Sequence, residues 1–257
     1  MAFSTPTQPT ILLLQGSFQL PEVYGKLTKA LEEKGYPVIH PHLPSLTDPD
    51  KPDFASKTLS TDALAIQSVL RNLVENEARK VLVLMHSYGG LVGSEAVLEE
   101  LSWGKRKDRG LAGGVFHLFF FAAFVLAEGQ SVLDVFGESP NNDIRPDGRF
   151  RIKNPAQTLY NDLAPEEAEY WTSKIIDQSY AVQTTKLTRA SYRYIPSTYV
   201  VCENDQGPPP QYQEMFGKSA GATLLRIASG HSPMLSKTEE LANMVAAAAQ
   251  GAMKDIS

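Results

Sequence analysis

"VLVLMHSYGG", residues 81–90, runs five apolar residues into a histidine, a serine, a tyrosine and two glycines. A short apolar run that stops at a small polar residue and restarts as a helix reads as a buried strand ending in a sharp turn. Two readings of Ser87 compete: a nucleophile held up on that turn, or a small residue filling a tight bend. The common strand-to-helix nucleophile motif asks for glycine two positions before and two after the serine. Gly89 meets the second requirement, whereas Met85 stands at the first. Methionine is flexible enough to fill an irregular gap, and Gly93 leaves room on the same helix face.

Outward from this stretch, apolar runs alternate with helical patterns along most of the chain. "TILLLQG" (10–16) reads as a strand, and 21–35 as a helix with Val23, Leu27, Ala30 and Leu31 on one face. "YPVIHPHLP" reads as a second strand broken by Pro41 and Pro44. A helix carrying Leu59, Ala63, Ile66, Leu70 and Leu73 precedes "KVLVLMH", and another follows from about 89 to 101. Strands at 113–124, 197–203 and 222–228, with helices at 209–219 and 236–250, complete the set. Apolar strands separated by helices form a parallel sheet covered on both faces. The expected fold class is therefore α/β, a doubly wound, mostly parallel sheet in a single domain over 1–257. Between 128 and 193 the alternation lapses into polar, Pro-containing and aromatic sequence, too long for a simple connection, and reads as an inserted cap.

Composition narrows the function. With 257 residues, 42% of them hydrophobic, the chain can bury one large core without a disulfide or structural metal. The single cysteine, Cys202, excludes an internal disulfide, and the N-terminal stretch "MAFSTPTQPTILLLQG" lacks a basic leader pattern, so a cytoplasmic protein is expected. "LFFFAAFVLA" (118–127) is about half the length a bilayer crossing needs. Net charge is −5 and the basic cluster "KRKDR" (105–109) is short, so neither membrane nor nucleic acid is an expected partner. A small-molecule substrate is expected, and oligomeric state is left open.

Ligands of open parallel sheets bind beyond the carboxyl ends of the strands. Three such ends carry chemistry: Ser87, Asp205 and His231. Serine is a poor nucleophile without a base in reach, and the base needs a third group to fix its tautomer. These residues supply nucleophile, acid and base in the order of the α/β-hydrolase arrangement. Glu128, read as ending the preceding strand, is the reserve acid.

The chain resembles the α/β-hydrolase superfamily over nearly its whole length. It looks most like the small-cap branch of plant methylesterases, hydroxynitrile lyases and fungal-type esterases. "HSYGG", "CENDQGPPPQYQEMF" and "SGHSPMLSKTEELA" carry the resemblance. It implies that Ser87 is the nucleophile, Asp205 the acid and His231 the base. It also implies an oxyanion hole made by the backbone NH groups of Tyr88 and Ser17, although Gln15 stands where the family usually has histidine. The expected activity is hydrolysis of an ester, thioester or lactone of a small apolar molecule through an acyl-enzyme, with no cofactor or metal.

Carbon–carbon cleavage, lyase or cyclase chemistry on the same triad is an alternative. Ser232 and Pro233 stand where a hydroxynitrile lyase would have a lysine, which disfavours that branch. A non-catalytic binder on the same fold is the third reading. His86 should pack beneath the turn, because neighbours on a strand face opposite ways. His40 and His42 lack a carboxylate or cysteine at ligand spacing, and His117 reads as a satisfied core histidine. Phe18, Phe124, Phe136, Tyr160, Trp171 and Met234 are the candidate walls of the substrate pocket.

Overall fold

The computed structural model describes residues 8–256, so residues 1–7 of the N-terminal stretch read above lie outside the described residues. The chain enters the core at β1 (Thr10–Leu14), crosses α1 (Gly25–Glu33) to β2 (Val38–Ile39), and passes through α2 (Leu59–Arg71) to β3 (Lys80–His86). The helices α3 (Gly89–Ala96) and α4 (Trp103–Asp108) lead to β4 (Gly114–Phe121). A long insertion follows, holding α5 (Val132–Phe136), β5 (Asn142–Ile144), β6 (Arg149–Ile152), α6 (Pro155–Thr158), α7 (Pro165–Thr172), β7 (Gln178–Ser179) and α8 (Ala181–Thr184). The core resumes with β8 (Ser197–Cys202), α9 (Pro210–Ser219), β9 (Thr223–Ile227), α10 (Pro233–Ser236) and α11 (Thr238–Asp255).

Among the described residues the main sheet has six parallel strands in the order β2-β1-β3-β4-β8-β9, and β5-β6-β7 form a separate antiparallel sheet within the insertion. Strand geometry explains the layers. Successive side chains point to opposite faces, so Leu12, Leu14, Val83, Met85 and Phe120 join one apolar layer with α2 and α3. Ile11, Leu13, Leu84, Phe119 and Phe121 join the other, with α1 and α11. The doubly wound α/β expectation describes this architecture. Among the described residues, no helix is long and apolar enough to cross a membrane.

Several element boundaries differ from the sequence reading. The second strand pairs with β1 only through Val38 and Ile39, because Pro37 and Pro41 flank it and neither has an NH to donate. Strand β4 stops at Phe121 rather than continuing to 124, since Ala122 turns into the left-handed region at φ +47°. The terminal helix read as 236–250 is α11, which runs on to Asp255, and the separate short helix α10 precedes it. Helix α3 ends at Ala96, and residues 99–101 form a separate 3-10 turn. Cys202 is fully buried at the end of β8, where burial, foremost, pushes its thiol pKa up. His117 is only half satisfied: its Nε2 meets Thr198 Oγ1 at 2.9 Å, Nδ1 has no partner, and burial lowers its pKa to about 4.

Candidate active site

Ser87 follows β3 directly and has φ +51°, a conformation that costs a non-glycine residue about 1–2 kcal/mol. The surrounding contacts hold it there. Its carbonyl accepts from Gly90 N (3.0 Å) and Phe124 N (3.1 Å), so the turn is tied both to α3 and to the segment leaving β4. Helix α3 can lie close against the sheet because it starts with glycine: a Cβ on Gly89 would collide with the Leu14 carbonyl. The Met85 mismatch is resolved one turn later. A Cβ on Gly93 would collide with Met85 Sδ, so the methionine fills the space that this glycine vacates.

Ser87 Oγ donates to His231 Nε2 at 3.1 Å, and His231 Nδ1 donates to Asp205 Oδ2 at 2.8 Å. A carboxylate accepts only, so Nδ1 carries the proton and Nε2 is free to take one. All three groups are buried. Asp205 is fixed by two further donors, Gly207 N on Oδ1 (2.7 Å) and Gln213 Nε2 on Oδ2 (2.8 Å). Gln213 also accepts from Cys202 N (2.9 Å), which locks α9 to the end of β8. The sequence reading missed Gln213. Its signal is a glutamine on the buried face of α9, in line with Phe216 and Gly217.

Glu128, the reserve acid, is not beside the histidine. Because β4 ends early, Glu128 lies in an exposed loop and pairs with Arg193 at 3.2 Å. His86 sits beneath the turn, fully buried, but it also makes specific contacts. Its Nε2 donates to the His231 carbonyl (2.8 Å), which fixes the tautomer and leaves Nδ1 an acceptor 2.7 Å from Tyr24 Oη, whose one proton Gln19 Oε1 also faces at 2.9 Å. Burial and the nearby His231 hold its pKa well below the ordinary value. Tyr24 Oη also accepts from Gly16 N at 2.8 Å. The next amide in that loop, Ser17, has no acceptor among the described residues, nor has the Tyr88 NH. Gln15, where the family pattern has histidine, donates to Gln19 O (2.7 Å) within the same loop. Tyr88 is anchored from below by its hydroxyl, which donates to Asp62 Oδ2 at 2.7 Å.

A cavity of about 260 Å³ opens over these groups. Ser17, Ser87, Tyr88 and His231 lie in its wall, and among the described residues no Asp, Glu, Lys or Arg lines it. Phe18, Phe124 and Phe136 line it as well. Phe124, Phe136 and Phe216 are mutually about 6 Å apart between ring centroids, and Phe18 meets Phe150 edge-on at 4.9 Å. Tyr160, Trp171 and Met234 do not line the cavity. They pack into the opposite apolar layer, on the α1 and α11 side. Phe150, Tyr212 and Phe216 are the aromatic walls the sequence reading lacked.

Comparison with known proteins agrees with the fold. A family model described as "Alpha/beta hydrolase family" matches residues 11–244. A curated relative, "Alpha/beta hydrolase nvfD" of Aspergillus novofumigatus, is 27% identical and aligns over 96% of this chain and 99% of its own. The crystal structure of polyneuridine aldehyde esterase superposes with a TM-score of 0.73 at 18% identity, covering 93% of this chain and 98% of that one. A methylesterase from Arabidopsis gives 0.71 at 15% identity, covering 94% and 99%.

Proposed function

The chain belongs to the alpha/beta hydrolase family, and from that premise we propose that it is a serine hydrolase cleaving an ester, thioester or lactone of a small, uncharged, largely apolar molecule. The observation that carries the reading is the unbroken relay from Ser87 through His231 to Asp205 at 3.1 and 2.8 Å. In the proposed reaction, Ser87 Oγ attacks the carbonyl carbon while its proton passes to His231 Nε2. The carbonyl oxygen becomes an oxyanion held by the NH groups of Ser17 and Tyr88, each donor contributing about 100- to 1000-fold in rate. His231 then gives the proton to the leaving oxygen or sulfur, producing the acyl-enzyme. Water, activated by the same nitrogen, attacks the acyl carbon and restores the serine. Asp205 keeps Nδ1 protonated and stabilises the imidazolium. An uncharged substrate follows from the lining, since a charged group in this cavity would find no counter-ion in its wall. The buried single cysteine is in keeping with a cytoplasmic setting.

An aryl phosphonate tests the proposal. Intact-mass spectrometry should show one adduct on the wild-type chain and none on Ser87→Ala. No adduct on the wild type, or one that survives the substitution, would refute it.

A further inference from the structure

The loops bearing Asp205 and His231 leave adjacent strands, and backbone bonds join them: Glu203 N donates to Ile227 O (3.0 Å) and Asn204 N to Ser229 O (2.9 Å). Two consecutive residues of the insertion, between α6 and α7, reach down onto the same pair of loops. Asn161 Nδ2 donates to the Asn204 carbonyl at 2.9 Å, one residue before the acid. Asp162 Oδ2 accepts from Gly230 N at 2.6 Å, one residue before the base. The fit is close: a Cβ on Gly230 would collide with Asn161 Oδ1 and come within 2.7 Å of Asp162 Oδ1. Asp162 Oδ1 itself is buried without a partner, a cost that the Gly230 contact must offset.

The His231 peptide is thereby pinned on both sides. Asp162 holds the amide before it, His86 holds its carbonyl, and Gln19 Nε2 donates to Ser232 Oγ (3.1 Å) just after it. The first of these comes from the insertion and the other two from the core. We propose that Asn161 and Asp162 are positioning residues that seat His231 between Asp205 and Ser87, so that the insertion aligns the relay as well as walling the substrate cavity. Neither residue lines that cavity. They act through the backbone of the two loops, and a displacement of His231 by about 1 Å lowers the rate of proton transfer by up to about 100-fold.

The inference rests on the relay proposed above, and its test separates the two. Aryl phosphonate labelling is followed as a function of probe concentration, giving a limiting rate and a half-saturation concentration. In parallel, the strongly downfield NMR signal of the His231 Nδ1 proton reports the bond to Asp205 without any reaction. In Asp162→Ala the limiting rate should fall about 10- to 100-fold, the half-saturation concentration should stay within about twofold, and the downfield signal should broaden or move. Asp162→Asn keeps an oxygen that can accept from Gly230 N, and it should recover most of the rate. Asn161→Ala removes a solvent-exposed side chain, leaves folding intact and should lower the limiting rate about fivefold with half-saturation unchanged. A native limiting rate and an unmoved downfield proton in Asp162→Ala, or in Asn161→Ala should the first not fold, would overturn the positioning role. An unlabelled wild type that still shows the downfield proton would instead overturn the acyl-enzyme reading.

Discussion

The Met85–Gly93 contact gives a quantitative test of how this chain accommodates a side chain where the common motif has glycine. Gly93 is helical and fully enclosed, and a methyl group there would overlap Met85 Sδ while approaching Met85 Cγ at 3.1 Å and Leu14 Cδ1 at 3.2 Å. Alanine favours a helix interior over glycine by about 1 kcal/mol. Overpacking a dense core costs about 1–3 kcal/mol, and because two side chains and not one are crowded, the upper end applies. Gly93→Ala should therefore destabilise by about 2 kcal/mol. Met85 is fully buried, so Met85→Ala should cost about 3 kcal/mol through lost contacts and a residual cavity. In the Met85→Ala background, however, the new methyl at 93 enters vacant space and the helix preference is realised. The same Gly93→Ala change should then stabilise by about 1 kcal/mol, a coupling of about 3 kcal/mol between the two sites. Urea unfolding of the four proteins at 25 °C, followed by tryptophan fluorescence, measures all three quantities, provided the m-values agree. Additivity within about 0.5 kcal/mol would refute the claim that Gly93 makes the room for Met85.

Two further predictions concern a buried carboxyl group and a ring of the cavity wall. Asp62 has no cation among its partners, only Ser45 N, Ser45 Oγ and the Tyr88 hydroxyl. Burial, partly opposed by those hydrogen bonds, raises its pKa from 3.8 to about 6. The folded state thus holds a proton between about pH 4 and 6 that the unfolded chain releases, so this group costs stability above pH 6 and the cost is relieved as pH falls towards 4. Relative to wild type, Asp62→Asn should gain about 2 kcal/mol on going from pH 4 to pH 7.5, measured by urea unfolding at both values, and a pH-independent difference would contradict the assignment. Phe136, on α5, packs edge-on against Phe124, Tyr212 and Phe216 in the cavity wall. Phe136→Ala should raise KM for aryl esters about tenfold with kcat little changed, whereas simple acetates should respond weakly. A parallel loss in kcat for both ester classes would place Phe136 outside substrate binding.

The strand ends were readable because the core strands are nearly continuous apolar runs and a parallel sheet exposes function only where those runs stop. Ser87 and Asp205 follow two such buried runs, and His231 follows β9, a largely exposed edge strand beside β8. The groups that hold them were not readable. Gln19, Tyr24, Asp162 and Gln213 are scattered over the chain and touch the site through single polar contacts, which leave no period in a sequence. His86 was placed beneath the turn by strand alternation, yet its bond to the His231 carbonyl depends on a fold that brings residues 145 positions apart together. Tyr160, Trp171 and Met234 show a different gap: a large apolar residue can wall a cavity or fill a core, and its identity does not distinguish the two. The overrun of β4 has a local cause. "FFFAAFV" contains no glycine, so the left-handed turn at Ala122, imposed by its surroundings, has no signal in the residue types.

The sealed thiol at the end of β8 has a practical consequence. With one cysteine in the chain, fully buried and its ionisation suppressed, the native protein offers almost no thiolate to an alkylating reagent. A cysteine introduced at an exposed point of α7, such as Glu169→Cys, would be the sole reactive sulfur on the surface. A spin label or fluorophore attached there would report whether the insertion moves against the sheet, in an otherwise unaltered chain.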